Sequence, residues 1–370
     1  MPTQWESLAN EHILGIAPYE PGKPIEELER ELMIHNPIKL ASNENPLPPS
    51  DRVQKAIVNA LNSLDRYPDG SGFYLRQALA KKHGVMPDQV VLGNGSNELL
   101  ELLVRTFLRP GDEAVVPHPS FPVYPATVQA AGGVRVMVML KEFRLDLEAM
   151  ARAITPMTKM VFVANPNNPT ATIVTRDEVE HFMARVPERT IVVFDEAYIE
   201  FAMGPDFPDT ISLVKQGRKV VVLRTFSKAS SLAGLRVGYG VADADAIALM
   251  NRIRQPFNVN SLAQAAALAA LDDEAHIMEC VRMIEAGRHF LYDELKRIGL
   301  SYVPSRANFI LVDVGRSAAD IYQKLLHQGV IVRPMTPFGL ETALRITVGT
   351  PEENRKLVKA LRTVLGKPAA

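Results

Sequence analysis

Between residues 51 and 255 the chain alternates two patterns. Short apolar runs bounded by turn residues read as strands: Val90–Leu92, Glu113–Val116, Val134–Met139, Lys159–Ala164, Ile191–Phe194 and Lys219–Leu223. Between them, helical periodicity is carried by stretches such as Asn97–Phe107, Arg176–Arg185 and Asp209–Gln216. Strands alternating with helices predict βαβ units and a mostly parallel central sheet flanked by helices. The period changes near residue 255. A long Ala/Leu-rich helix is predicted over Val259–Asp272 and a second over Glu274–Ile298. A mixed segment follows, with strands in FILVDV, VIVRP and LRITVG, a helix over Ala318–Gln328 and a last helix from Glu352. Residues 1–45 are rich in proline and charge, with one short helix predicted over Ile25–Met33 inside an extended arm. The expected fold class is therefore α/β. The chain divides into an arm over 1–45 that packs on the small domain or a partner subunit, a large domain over 46–260, and a smaller α+β domain over 261–370.

Composition narrows the possible functions. Hydrophobic residues make up 47% and charged residues 22%, enough to build a sizeable core. Forty-one Lys and Arg against 42 Asp and Glu leave a formal charge of −1, so no basic excess exists for a nucleic acid or an anionic membrane. Any anion must be met by a few placed cations. No apolar run approaches the roughly 20 residues of a membrane span. The amino terminus has no basic stretch leading into an apolar one, so a cytoplasmic location is expected. One cysteine, Cys280, excludes an internal disulfide, and the eight histidines show no H-E-x-x-H spacing, so no metal site is expected.

Ligands of open parallel sheets bind at the carboxyl ends of the strands. Four apolar runs here end in polar residues of different chemistry: GNGSNE (Gly93–Glu98), NPNNPT (Asn165–Thr170), DEAY (Asp195–Tyr198) and RTFSK (Arg224–Lys228). Each has a plainer reading alone. Gly93–Asn97 is a strand-to-helix turn closed by a capping Ser or Asn, or else a phosphate cradle. It is not the dinucleotide fingerprint, because Glu98 stands where the third glycine would be, and no P-loop motif occurs. Asp195 at a buried strand end needs a partner, structural or bound. Lys228 alone reads as a surface lysine, and Arg236 follows it across the glycine and small residues of SLAGLRVGYG. Together, a lysine, a carboxylate, a phosphate cup and an aromatic face meet the requirements of pyridoxal 5′-phosphate.

With these motifs in place, the chain resembles the fold-type I pyridoxal-phosphate aminotransferases, and within them the histidinol-phosphate aminotransferase family. The quoted stretches are APYEPGKPIEEL, LASNENPLPPS, RYPDGSG, LGNGSNELLELLVRTF, PSFPVY, NPNNPT, VVFDEAYIEF, LRTFSKASSLAGLRVGY and LRITVGT. The resemblance implies that Lys228 forms the Schiff base and shuttles a proton. It implies that Asp195 pairs with the pyridine nitrogen and that Tyr198 and Asn168 donate to the ring's 3-oxygen. By the same likeness Phe121 stacks on the ring, while Ser96, Asn97, Ser227 and Arg236 hold the phosphate with Thr225 in support. Tyr67 reaches the phosphate of a neighbouring subunit, which implies a homodimer with shared active sites. One departure is Ala171, which stands where the family's N-P-T-G turn carries glycine.

The implied reaction is ping-pong transamination between L-histidinol phosphate and 2-oxoglutarate, in histidine biosynthesis. Such a donor presents a phosphate where ordinary amino acids present a carboxylate, and a planar guanidinium pairs with either. Arg345 with Arg333 supplies that charge, and Tyr19 and Asn168 the further donors. The alternatives are an aromatic or broad-specificity aminotransferase of the same fold, a phosphothreonine decarboxylase on the same scaffold, and a binding module without catalysis.

Overall fold

The computed structural model describes residues 3–367. Seven strands form its central sheet: Val90–Gly93 (β1), Glu113–His118 (β2), Val134–Met139 (β3), Thr158–Ala164 (β4), Ile191–Asp195 (β5), Val220–Thr225 (β6) and Gly238–Val241 (β7). Their order across the sheet is β1-β7-β6-β5-β4-β2-β3. Only β7 runs against the others. The predicted parallel sheet is therefore present, with one strand that the hydrophobic pattern did not reveal. β7 is GYGV, and its two glycines break the apolar run by which the other strands are recognised.

Both faces of the sheet are covered, which is why its strands read as continuous apolar runs. Val161, Val163, Val192, Phe194 and Val222 pack on one side, and Phe162, Val193, Val221 and Leu223 on the other. The helices predicted by periodicity begin and end within two residues of expectation, from Ser96–Phe107 to Pro351–Leu365. Their starts are chemically marked. Thr175 and Glu178 exchange side-chain and backbone hydrogen bonds at the head of Arg176–Arg185, as do Thr350 and Glu353 before Pro351.

A second core gathers around a four-stranded antiparallel sheet, ordered Arg333–Pro334, Ala343–Thr347, Phe309–Asp313 and Ser301–Val303. Helix Glu274–Arg297 sends Cys280, Ile284, Leu291 and Leu295 into it. Helix Ser261–Leu271 instead packs Ala263, Ala266, Ala267 and Ala270 against the core of the large sheet. We therefore place the divide between the two units near Asp272 and not at residue 260. The later part of the arm lies on the second unit: Ile38 and Lys39 pair in parallel with Val330 and Ile331, and Leu28 of helix Ile25–Leu32 packs with Leu326 and Ile331. Its earlier part touches the large unit, where the His12 carbonyl accepts from Gln129 Nε2 at 3.0 Å. No helix among the described residues is long and apolar enough to cross a membrane.

Candidate active site

Sheet register decides where the polar segments emerge. Ala164, Asp195 and Leu223 align across β4, β5 and β6, so the residues that follow them leave the sheet side by side. On the other flank, Gly93 of β1 and Thr225 of β6 both face Gly238 of β7. A cavity of about 340 Å³ opens over these ends, and every predicted site residue except Tyr67 and Arg333 lines it. A groove of about 740 Å³ elsewhere is edged by charges such as Arg144 and Glu178, which pair with each other at 2.8 Å, and holds none of the predicted residues.

One end of the cavity is built for a phosphate. Helix Ser96–Phe107 begins at Gly95 with no side-chain cap, so the structure does not support a capping Ser or Asn here. Its first N–H groups, at Ser96 and Asn97, remain for an anion. The Arg236 guanidinium donates to Ser227 Oγ at 3.4 Å, and Thr225 Oγ1 donates to the same oxygen at 3.0 Å. A Cβ added at Gly95 would stand 2.5 Å from Arg236 Nη2, and one at Gly238 would stand 2.5 Å from the Ser96 nitrogen. Glycine is required at both positions for backbone and guanidinium to converge.

At the opposite end Asp195 terminates β5, buried. Tyr124 donates its hydroxyl proton to Oδ2 at 2.7 Å, and the Ala197 N–H reaches Oδ1 at 3.2 Å. Burial raises the Asp195 carboxyl above its ordinary range, with the phenol, the amide and Lys228 opposing in part. A carboxylate so enclosed favours a cationic partner within the cavity. Phe121 presents its ring on the cavity wall, edge-on to Tyr124 with centroids 5.6 Å apart.

Lys228 lies between these ends. Its stem is half-buried but its ammonium is enclosed, 3.5 Å from the Ser42 carbonyl and 5.4 Å from the Tyr198 ring centre. Burial, followed by the nearby Arg345 cation, lowers its pKa to about 8. A neutral, nucleophilic amine is therefore accessible near neutral pH. Tyr198 is buried, and its hydroxyl accepts the Asn43 Nδ2 proton at 3.0 Å.

Arg345 closes the cavity from the second unit. It is buried, donates to Asn168 Oδ1 at 2.7 Å and to the Ala41 carbonyl at 2.6 Å, and has no carboxylate partner among the described residues. Its Nε is buried without a hydrogen-bond partner. Arg333 is its cross-strand neighbour but does not line the cavity; it lies against the exposed Tyr19 ring, 5.8 Å from its centre, and donates to the Glu20 carbonyl. Tyr67 is 82% exposed, stacked on Phe257 with centroids 4.7 Å apart, outside its own chain's cavity. Ala171, in the place of the expected glycine, adopts the left-handed region itself: it holds φ at +59°, buried, with its N–H bonded to the Asn167 carbonyl at 2.7 Å. Three contributors were not predicted: Tyr124 on Asp195, Asn43 on Tyr198, and the Ser42 carbonyl on Lys228. All three lie inside quoted motifs, and only tertiary contact shows what they touch.

Comparison with known proteins now decides the family. The sequence pattern of aminotransferase class I and II matches residues 35–361. The chain belongs to this family. A histidinol-phosphate aminotransferase of Moorella thermoacetica is 49% identical over 356 residues, which cover 96% of this chain and 92% of the relative. The crystal structure of histidinol-phosphate aminotransferase from Sinorhizobium meliloti in complex with pyridoxal-5′-phosphate matches with a TM-score of 0.87. It is 31% identical and covers 94% of this chain and 95% of that one. A double mutant of the Thermus thermophilus aspartate aminotransferase matches with a TM-score of 0.84 at 26% identity, covering 96% and 99%. The expected fold-type I architecture is borne out by these likenesses. As a class I and II aminotransferase the chain is a transaminase, and its family works with pyridoxal phosphate on amino and oxo acids.

Proposed function

We propose that this chain transfers an amino group between L-histidinol phosphate and 2-oxoglutarate, giving imidazole acetol phosphate and L-glutamate, in histidine biosynthesis. The observation that carries the reading is Arg345, a buried guanidinium without a carboxylate partner among the described residues, on the same cavity wall as Lys228. A buried cation of this kind is stabilised by an incoming anion, and its fork accepts a phosphate or a carboxylate. Both are needed in turn by a ping-pong enzyme with these two substrates. The names of relatives at 47–49% identity over nearly the whole chain support the choice of donor.

The cavity fits pyridoxal phosphate: the glycine-lined cradle beside Arg236 suits its phosphate, buried Asp195 suits a protonated ring nitrogen, and Lys228 suits its aldehyde. When bound, that group takes up the amino group at its aldehyde carbon and draws electrons from the substrate carbon into its ring. Lys228 Nζ would hold it covalently until the substrate's amino group takes its place, and the amine so released would move the proton at the carbon bearing the amino group. Asp195 keeps the ring nitrogen protonated, and Tyr124 holds the carboxylate in place. Asn168, its Oδ1 held by Arg345, has its amide protons left to donate to the ring's 3-oxygen together with Tyr198. Phe121 covers the ring, and Ser96, Asn97, Thr225, Ser227 and Arg236 bind the phosphate. Tyr19, on the cavity wall, would add a donor to the anion site, whereas Arg333, held against the Tyr19 ring and the Glu20 carbonyl outside that wall, reaches the site only through Tyr19. Tyr67, exposed and outside its own cavity, is assigned to the phosphate of a partner subunit, so the working form is a homodimer.

Two measurements test this reading. With 2-oxoglutarate as acceptor, kcat/KM for histidinol phosphate is expected to exceed that for phenylalanine by at least about tenfold, a difference of about 1.4 kcal/mol. A preference for phenylalanine would overturn the donor assignment in favour of an aromatic aminotransferase. Lys228 also gives a pH signature. Because its pKa is lowered to about 8, the protonated fraction falls as pH rises, and only the neutral amine attacks an aldehyde. Uptake of pyridoxal phosphate by the cofactor-free chain should quicken about tenfold per unit from pH 6 and level off above about 8. A rate still climbing at pH 10 would contradict it.

A further inference from the structure

The arm's segment Ala41–Asn43 touches three functional groups in turn. The Ala41 carbonyl accepts from Arg345 at 2.6 Å, the Ser42 carbonyl from Lys228 at 3.5 Å, and the Asn43 side chain donates to Tyr198 at 3.0 Å. Asn43 is the most constrained of the three. It is 1% exposed and sits in the left-handed region with φ at +54°, a conformation Asn tolerates better than most residues. All of its polar groups are engaged. Its N–H donates to Thr347 Oγ1 at 2.9 Å, its carbonyl accepts from Asn308 Nδ2 at 3.0 Å, and its Oδ1 accepts from Thr347 Oγ1 at 3.3 Å.

These bonds have a fixed direction. Thr347 Oγ1 already accepts the Asn43 backbone proton, so its single hydroxyl proton goes to Asn43 Oδ1. The amide is thereby oriented with Nδ2 toward Tyr198. Tyr198 Oη accepts that proton, and its own proton is left to be donated into the cavity. Thr347 stands two residues beyond Arg345 on the same strand. The chain of bonds therefore runs from the strand that bears the substrate's anion site to the phenol facing the cofactor.

We propose that Asn43 is a positioning residue for Tyr198, fixing the phenol as a donor to the cofactor's ring oxygen and tying it to the strand that carries Arg345. The inference rests on the assignment of Tyr198 above, and the test separates the two. A ring oxygen that loses a donor becomes more negative and holds the neighbouring proton of the lysine linkage more tightly. The pH midpoint of the visible absorbance change of the holoenzyme, without substrate, then moves upward. Asn43→Ala is expected to raise this midpoint by about 0.5–1 unit, the equivalent of one ordinary hydrogen bond. Tyr198→Phe should raise it at least as much, and adding Asn43→Ala to Tyr198→Phe should raise it no further. Thr347→Val, which removes only the hydroxyl that orients the amide, should give a smaller shift that also vanishes with Tyr198→Phe; it carries the test if Asn43→Ala does not fold. A midpoint unmoved by the Asn43 and Thr347 changes while Tyr198→Phe moves it overturns the inference alone. Equal shifts with and without the Tyr198 hydroxyl overturn it too. An unmoved midpoint in Tyr198→Phe overturns both assignments.

Discussion

Lys228→Ala is expected to lower kcat by more than about 10⁴-fold, the combined loss of a covalent attachment point and a positioned proton carrier. Nothing else among the cavity's residues can replace it. Arg236 and Arg345 offer guanidinium groups and no primary amine, and Asp195 is a carboxylate held by Tyr124 and the Ala197 amide. The variant should also lose the absorbance of the lysine-bound cofactor while keeping noncovalent affinity, because the phosphate cup on helix Ser96–Phe107 and Arg236 is untouched. Lys228→Arg separates charge from nucleophilicity: it preserves the cation but carries no free amine, and it should be as inactive as the alanine variant. Folding should be little affected, since burial already disfavours the ammonium and its one hydrogen bond, to the Ser42 carbonyl, is long at 3.5 Å. Activity within tenfold of the parent, from purified protein, would remove Lys228 from the mechanism.

That lysine was legible in the sequence because it follows an apolar strand and stands within a string of other strand-end signals. The same holds for Asp195: a carboxylate directly after IVVF has little reason to be there without a partner. The parallel sheet was legible from its valine runs, since strands covered on both faces must be apolar throughout. Three features were hidden for physical reasons. β7 escaped detection because two of its four residues are glycine, and Gly238 serves close approach to Ser96 and Arg224 and not strand propensity. The place of helix Ser261–Leu271 in the core of the large unit was hidden because alanines at its contacts suit either core. Tyr124 and Asn43 were invisible as site residues because each acts through a partner more than 70 residues away, Asp195 and Tyr198 respectively. Arg333 shows the opposite case. It is expected beside Arg345 for its charge, and strand pairing does put the two residues side by side, yet its guanidinium is drawn to Tyr19 and the Glu20 carbonyl, outside the cavity wall.

Arg345→Gln should lower kcat/KM for histidinol phosphate about 10³-fold, with most of the effect in KM, because the lost contact is a buried, charge-assisted fork and not a surface pair. The same substitution should weaken 2-oxoglutarate, whose carboxylate uses the same guanidinium in the second half-reaction. Histidinol without its phosphate separates this role from a general disturbance of the cavity. It presents no anion to Arg345, so its slow half-reaction should be nearly unchanged, and the parent's preference for the phosphorylated donor should collapse. Glutamine can keep one of the two bonds that now orient the side chain, to Asn168 Oδ1 or to the Ala41 carbonyl, but cannot supply the charge. Stability should respond in the other direction from activity or not at all. Burial disfavours the charged guanidinium, holding its pKa below the ordinary value, and no carboxylate among the described residues offsets it, so a neutral side chain relieves a desolvation cost. A variant that kept its preference for the phosphorylated donor would place the anion site elsewhere, with Arg333 the nearest remaining cation on the neighbouring strand.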